Sequence, residues 1–139
     1  MGAYRSLLGT GIRDKDNQGI ALALESSGRL VAWASSHGSG WDIGKITGTK
    51  VFTVGNTYYF KYEFTGSRYE LSSSEDGITW EVQGGVDSNV PIFVSTAPLR
   101  VGNNPYSSAS HSFWNEKIDL KHFSIAIDGQ EIQYGTEGN

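Results

Sequence analysis

The sequence predicts an all-β fold, an antiparallel β-sandwich, and three observations carry that prediction. Polar and apolar residues alternate along most of the chain, while no segment sustains the i, i+3, i+4, i+7 spacing of an amphipathic helix. Turn signals built on Gly, Ser, Asn and Asp recur at the short intervals typical of sandwiches and barrels. The chain holds 18 glycines, only 3 prolines, and 4 Trp, 7 Tyr and 6 Phe. Many glycines with many aromatics suit a sheet protein with tight turns. They equally suit a lectin-like surface, on which aromatic faces stack on sugars.

At 139 residues the chain has the size of one domain, enough to bury a core without metals or disulfides. One domain is therefore expected over 1–139, with a frayed tail at 135–139. The chain is 37% hydrophobic and 19% charged, which fits neither disorder nor a membrane span. Its net charge is -4 and no Lys/Arg cluster appears, so nucleic-acid binding lacks an electrostatic basis. The absence of cysteine removes disulfides and thiolate metal sites. The first residues lack the basic start and apolar stretch of a signal peptide. The alternatives are a chain not secreted by that route and a domain cut from a longer one.

Taken in order, the expected strands begin at 4–8. Strands 20–25 (IALALE) and 29–35 (RLVAWAS) flank the short loop Ser26-Ser27-Gly28. A strand over 50–54 ends at Gly55-Asn56. The clearest strand is 57–65 (TYYFKYEFT), where side chains two apart share a face. Tyr58, Phe60, Tyr62 and Phe64 then form a core face, and Tyr59, Lys61 and Glu63 look outward. Gly66-Ser67 fits a type II′ turn into 68–75, with Tyr69 and Leu71 on the core side. Asp76-Gly77 starts another turn: Asp76 accepts turn amides, Gly77 supplies positive φ and Trp80 folds back over the hairpin. Strands follow at 79–83, 91–95 and 99–102, then a polar loop over 103–112, a long strand at 117–127 and a last one at 130–134. The inner faces would carry Leu22, Leu24, Tyr58, Phe60, Tyr62, Phe64, Tyr69, Leu71, Phe123, Ile125 and Ile127.

Three strings, YYFKYEFTGSRYELSSSEDGITW, PLRVG and WNEKIDLKHFSIAIDG, share an order of elements. An aromatic strand and glycine turn lead to S-x-D-G-x-x-W, then a short strand ending in Gly, then an aromatic residue, I-D-L and an alternating strand. In this the chain resembles the concanavalin A-like lectin/glucanase superfamily, most of all the laminin-G-like modules of bacterial surface and phage structural proteins. Glu116 departs from the pattern, which usually has Gly there. The resemblance implies a jelly-roll sandwich, a packing role for Trp114, and an extracellular, cell-surface or virion setting. It also implies a glycan or a surface protein as partner, with oligomers possible through exposed sheet edges.

Several residues invite chemistry, each beside a plainer reading. Glu63 and Glu70 fall opposite one another across the Gly66-Ser67 turn. Two carboxylates at roughly 5 Å are what a retaining glycosidase uses. Lys61 and Arg68 share that face, so a solvated ion-pair lattice explains the same residues. Asp14, Asp16 and Glu25 match the spacing of an EF-hand loop, but IALALE reads as strand where a helix is required. A polar hairpin loop, or a calcium site of another kind using the same oxygens, remains. The three histidines lack metal-ligand spacing, and no G-x-S-x-G nucleophile elbow occurs. Trp41 sits in the glycine-rich loop HGSGWD beside Asp42, suited to stacking on a sugar or capping the sandwich end. Tyr106 offers the same choice in the 103–112 loop.

These residues together lead to a non-catalytic recognition module with no cofactor, binding a glycan by aromatic stacking plus polar contacts. Its surface would be a loop end (Trp41, Asp42, Tyr106) or the outward sheet face (Tyr59, Lys61, Glu63, Arg68, Glu70). The alternatives are a structural module contacting protein and a glycosidase built on Glu63 and Glu70.

Overall fold

The computed structural model describes residues 4–10 and 17–102, together with the backbone of 124–127 and 130–133. The described residues are all β, with no helix. They form a five-stranded antiparallel sheet, a three-stranded antiparallel sheet and a separate hairpin. The first comprises β1 (Arg5–Gly9), β2 (Ile20–Leu24), β3 (Arg29–Ala34), β4 (Gly44–Val51) and β8 (Arg100–Val101), in the order β4-β3-β2-β1-β8. The second comprises β5 (Tyr59–Phe64), β6 (Arg68–Ser74) and β7 (Glu81–Asp87), each strand paired with the next. The hairpin pairs β9 (Ser124–Ile127) with β10 (Gln130–Gln133).

Turn chemistry sets the register. Between β2 and β3, Gly28 stands at φ +82° and donates to the Glu25 carbonyl at 2.9 Å, closing a three-residue loop. Between β5 and β6, Gly66 at φ +96° opens the two-residue turn, which the Thr65 N–H to Arg68 carbonyl bond closes at 2.9 Å. That turn fixes Glu63 opposite Glu70 and Phe64 opposite Tyr69.

One core joins the two sheets. Leu22, Leu30, Ala32, Ala34 and Ile46 of the larger sheet meet Tyr69 and Leu71 of the smaller, with Tyr58, Phe60 and Tyr62 packed against them. The period-two expectation for the aromatic strand holds there. Phe60 and Tyr58 sit edge-on to Phe52, at 5.0 Å and 4.9 Å between centroids. Phe64 lies at the rim, exposed, and stacks on Tyr69 at 4.5 Å. Leu71 is fully buried, which stabilises the fold by about 2 kcal/mol. Phe123 and the side chains of Ile125 and Ile127 lie outside the described residues.

Three expected strands move. The one expected at 50–54 is β4, which starts earlier, at Gly44; its inner positions are Ile46 and Gly48, only one of them a large apolar residue. The one expected at 79–83 is β7, running to Asp87 through Gly84 and Gly85. The stretch 91–95 forms no strand. It docks instead through single bonds, from the Phe93 N–H to the Ser35 carbonyl at 2.7 Å and from the Ser95 hydroxyl to the Asn17 carbonyl at 2.6 Å, and just before it the Val90 carbonyl accepts the Tyr69 hydroxyl at 2.8 Å.

Gly48 in β4 and Gly84 in β7 stand where the two sheets come close. A Cβ on Gly84 would lie 3.0 Å from Ile46 Cγ2, and one on Gly48 would lie 3.3 Å from Gln83 Cβ. A β-bulge after Leu71 in the β6–β7 pairing matches Ser72 to Val82 and Leu71 to Gly84. It turns Gln83 and Gly84 together toward β4 and leaves Val82 outward, 53% exposed.

Candidate functional site

The outward face of the β5-β6-β7 sheet gathers five of the residues singled out from sequence. On β5 these are Tyr59, Lys61 and Glu63; on β6, Arg68 and Glu70. Their order follows from the register: Tyr59 opposite Ser74, Lys61 opposite Ser72, Glu63 opposite Glu70. On the third strand Arg68 faces Asp87 and Glu70 faces Gly85.

The charges form a lattice. Lys61 Nζ lies 3.2 Å from Glu63 Oε1, Arg68 Nε 3.5 Å from Glu70 Oε2, and Arg68 donates to Asp87 Oδ1 at 2.5 Å. Gly85 makes this possible: a Cβ there would fall 2.6 Å from the Arg68 guanidinium, which lies flat across the strand. The Asp87 hydrogen bond, the largest influence, raises the Arg68 pKa further. Each of the facing carboxylates thus has its own cation, a solvated lattice of modest stabilising value.

Sequence reasoning treated Trp80 only as part of a turn. The structure puts its ring on this same face, with Lys61 Nζ 5.0 Å from the ring centroid, and the residue as a whole is 37% exposed. The signal was present in the alternation Ile78, Trp80, Val82, all three exposed in the structure. The turn preceding Trp80 is built as expected. Asp76 Oδ1 accepts the Ile78 and Thr79 N–H groups at 2.8 Å each and the Ser74 hydroxyl at 2.9 Å. Those bonds, the Thr79 amide first, hold the Asp76 pKa down at about 2. Gly77 has φ +75°, and its missing side chain makes room for Tyr59, whose ring lies 3.2 Å from where a Cβ would be.

The loop end is arranged differently. Asp42 accepts the Ser36 N–H at 2.9 Å and the Ser36 hydroxyl, and its Oδ1 lies 3.4 Å from His37 Nε2. The Ser36 hydroxyl is the main reason its pKa is lowered. His37 Nδ1 accepts the Ser39 N–H at 3.2 Å and lies 2.8 Å from the Ser39 hydroxyl. Gly38 is held by Ser35 Oγ at 2.9 Å and packs against the Phe93 ring. The Asp42 carboxylate therefore closes the loop on itself. Trp41 beside it is half-buried. Tyr106 lies outside the described residues.

Of the expected calcium ligands, Asp14 and Asp16 lie outside the described residues. Glu25 Oε2 is 4.0 Å from Lys45 Nζ. Next to that segment Asn17, at φ 90°, uses its backbone carbonyl for the Ser95 hydroxyl at 2.6 Å and its side-chain oxygen for that of Thr96 at 3.1 Å. Among the described residues no group of three or more His, Cys, Asp or Glu is placed to hold a metal. Among them, too, no helix is long and apolar enough to cross a membrane. His111, His122 and Trp114 lie outside the described residues.

The chain matches no family model, no curated protein and no solved structure.

Proposed function

We propose that this domain is a non-catalytic recognition module that binds glycans on the outward face of the β5-β6-β7 sheet. The observation that carries the reading is Trp80: the residue is 37% exposed, on the same face as the register-opposed pair Glu63 and Glu70. A pyranose ring has an apolar face that stacks on an indole and a rim of hydroxyls that need hydrogen-bonding partners. Trp80 supplies the stacking surface; Lys61, Glu63, Glu70 and Arg68 supply the partners. The ion pairs gather those groups on one face beside the indole.

The loop end supports the reading less, since Asp42 is committed to Ser36 and His37. A glycosidase on Glu63 and Glu70 is also less supported, since each carboxylate already faces a cation. The concanavalin A-like architecture that the sequence resembles, with its jelly-roll connectivity, belongs to the same proposal.

A glycan array probed with the full chain, with and without calcium, tests it. Binding that Trp80→Ala removes while the fold persists by circular dichroism is the expected result. No binding under either condition, or binding untouched by Trp80→Ala, contradicts it.

A further inference from the structure

Resting on the glycan reading above, we infer that this face takes a linear chain of several uncharged sugars laid along β7 and stacked at two platforms, the Trp80 indole and the flat guanidinium of Arg68. Gly85 sets the second platform. A Cβ on Gly85 would lie 2.6 Å from Arg68 Nε, 2.6 Å from Nη2 and 2.7 Å from Cζ, nearly equal distances that put the guanidinium plane face-on to the glycine. The edge of that plane is taken up: Nη1 donates to Asp87 Oδ1 at 2.5 Å, and Nε lies 3.5 Å from Glu70 Oε2. One face of the plane thus rests on the strand, and the other is turned away from it in a side chain that is 37% exposed. A guanidinium is planar and weakly hydrated, and it stacks. With its charge compensated by two carboxylates, it suits the apolar face of a neutral sugar.

The two platforms stand on one line. Trp80 precedes Val82 by two residues, Ser72 opposes Val82, and Glu70 opposes Gly85. Ser72 and Glu70 are two residues apart on β6, so the line from Trp80 through Val82 to Gly85 covers about 14 Å at strand spacing. That is longer than one pyranose ring. Between the platforms Val82, 53% exposed, adds apolar surface. Beside the line Glu63 and Glu70 offer acceptors for sugar hydroxyls. A single sugar can use one platform. A chain uses both, and its second contact is then intramolecular. A second platform of ordinary stacking strength is worth up to about tenfold in affinity.

Calorimetric titration of the full chain with disaccharides and hexasaccharides of β-linked glucose, mannose and xylose tests this. In at least one series the hexasaccharide should bind about tenfold tighter than the disaccharide. Arg68→Lys keeps the cation and loses the plane; Gly85→Ala keeps the arginine and lifts it from its seat. Each should close most of that gap, with the fold unchanged by circular dichroism. Equal affinities for disaccharide and hexasaccharide overturn the inference and leave the glycan reading standing. A gap that survives either substitution overturns the assignment of the second platform to Arg68. If neither length binds in any series, the glycan reading falls, and this inference with it.

Discussion

At Gln83 a single amide meets three separate groups. Its Oε1 accepts the Lys50 N–H at 2.9 Å and the Thr49 hydroxyl at 3.2 Å, and its Nε2 donates to Ser73 Oγ at 2.9 Å. The need arises in β4. The β3–β4 register is irregular, the step from Arg29 to Val31 being matched by the longer step from Thr47 to Val51. The Lys50 amide there is met by a side chain from the other sheet. With Gln83 only 2% exposed, Gln83→Leu leaves these groups without partners and should cost about 2 kcal/mol in urea unfolding. A loss near zero would show that water replaces the amide. Asp76 gives a pH prediction. Its folded pKa of about 2 lies below the ordinary value of about 3.9. Its contribution to stability is complete above the unfolded value and falls away as pH drops toward the folded one. Carbon-detected NMR should place its midpoint near 2, and Asp76→Ala should remove that part of the acid dependence.

Elements were legible where alternation alone decides them. The strand β5 follows from Phe60, Tyr62 and Phe64 on one side and Tyr59, Lys61 and Glu63 on the other; the β5–β6 register follows from Gly66. Edges moved where a glycine takes an inner position. In β4 the alternation is intact, but Gly48 occupies an inward place because Gln83 fills the space a side chain would need. In β7, Gly84 faces Ile46 and Gly85 lies beneath Arg68. Two adjacent glycines read as a break in sequence, yet each answers a different neighbour. This separates two substitutions. Gly84→Ala presses on Ile46 and the Thr47 carbonyl and should cost about 1–3 kcal/mol. At Gly85 the atoms nearest an added Cβ are the Arg68 guanidinium, the far end of a flexible side chain, so Gly85→Ala should cost less than Gly84→Ala in the same unfolding measurement. The candidate face was half legible: its charged residues follow from period two and the turn, whereas Trp80 alternates with Ile78 and Val82 but stands beside the Asp76-Gly77 turn, and its side is fixed only by the pairing of β7 with β6.

Among the described residues, the inner faces of both sheets are spent on one core, and Asp42 closes the loop at Ser36–Asp42 on itself. The outward face of β5-β6-β7 combines an accessible indole with a fixed polar lattice. Whether a glycan stacks on that face is read by following the tryptophan indole N–H signals in NMR while adding a glycan that binds on the array. The chain holds 4 tryptophans, so each indole can be assigned by substitution. The Trp80 indole and the Lys61 and Glu63 amides should shift together and saturate at one concentration. Shifts at Trp41 with Trp80 unmoved would contradict it.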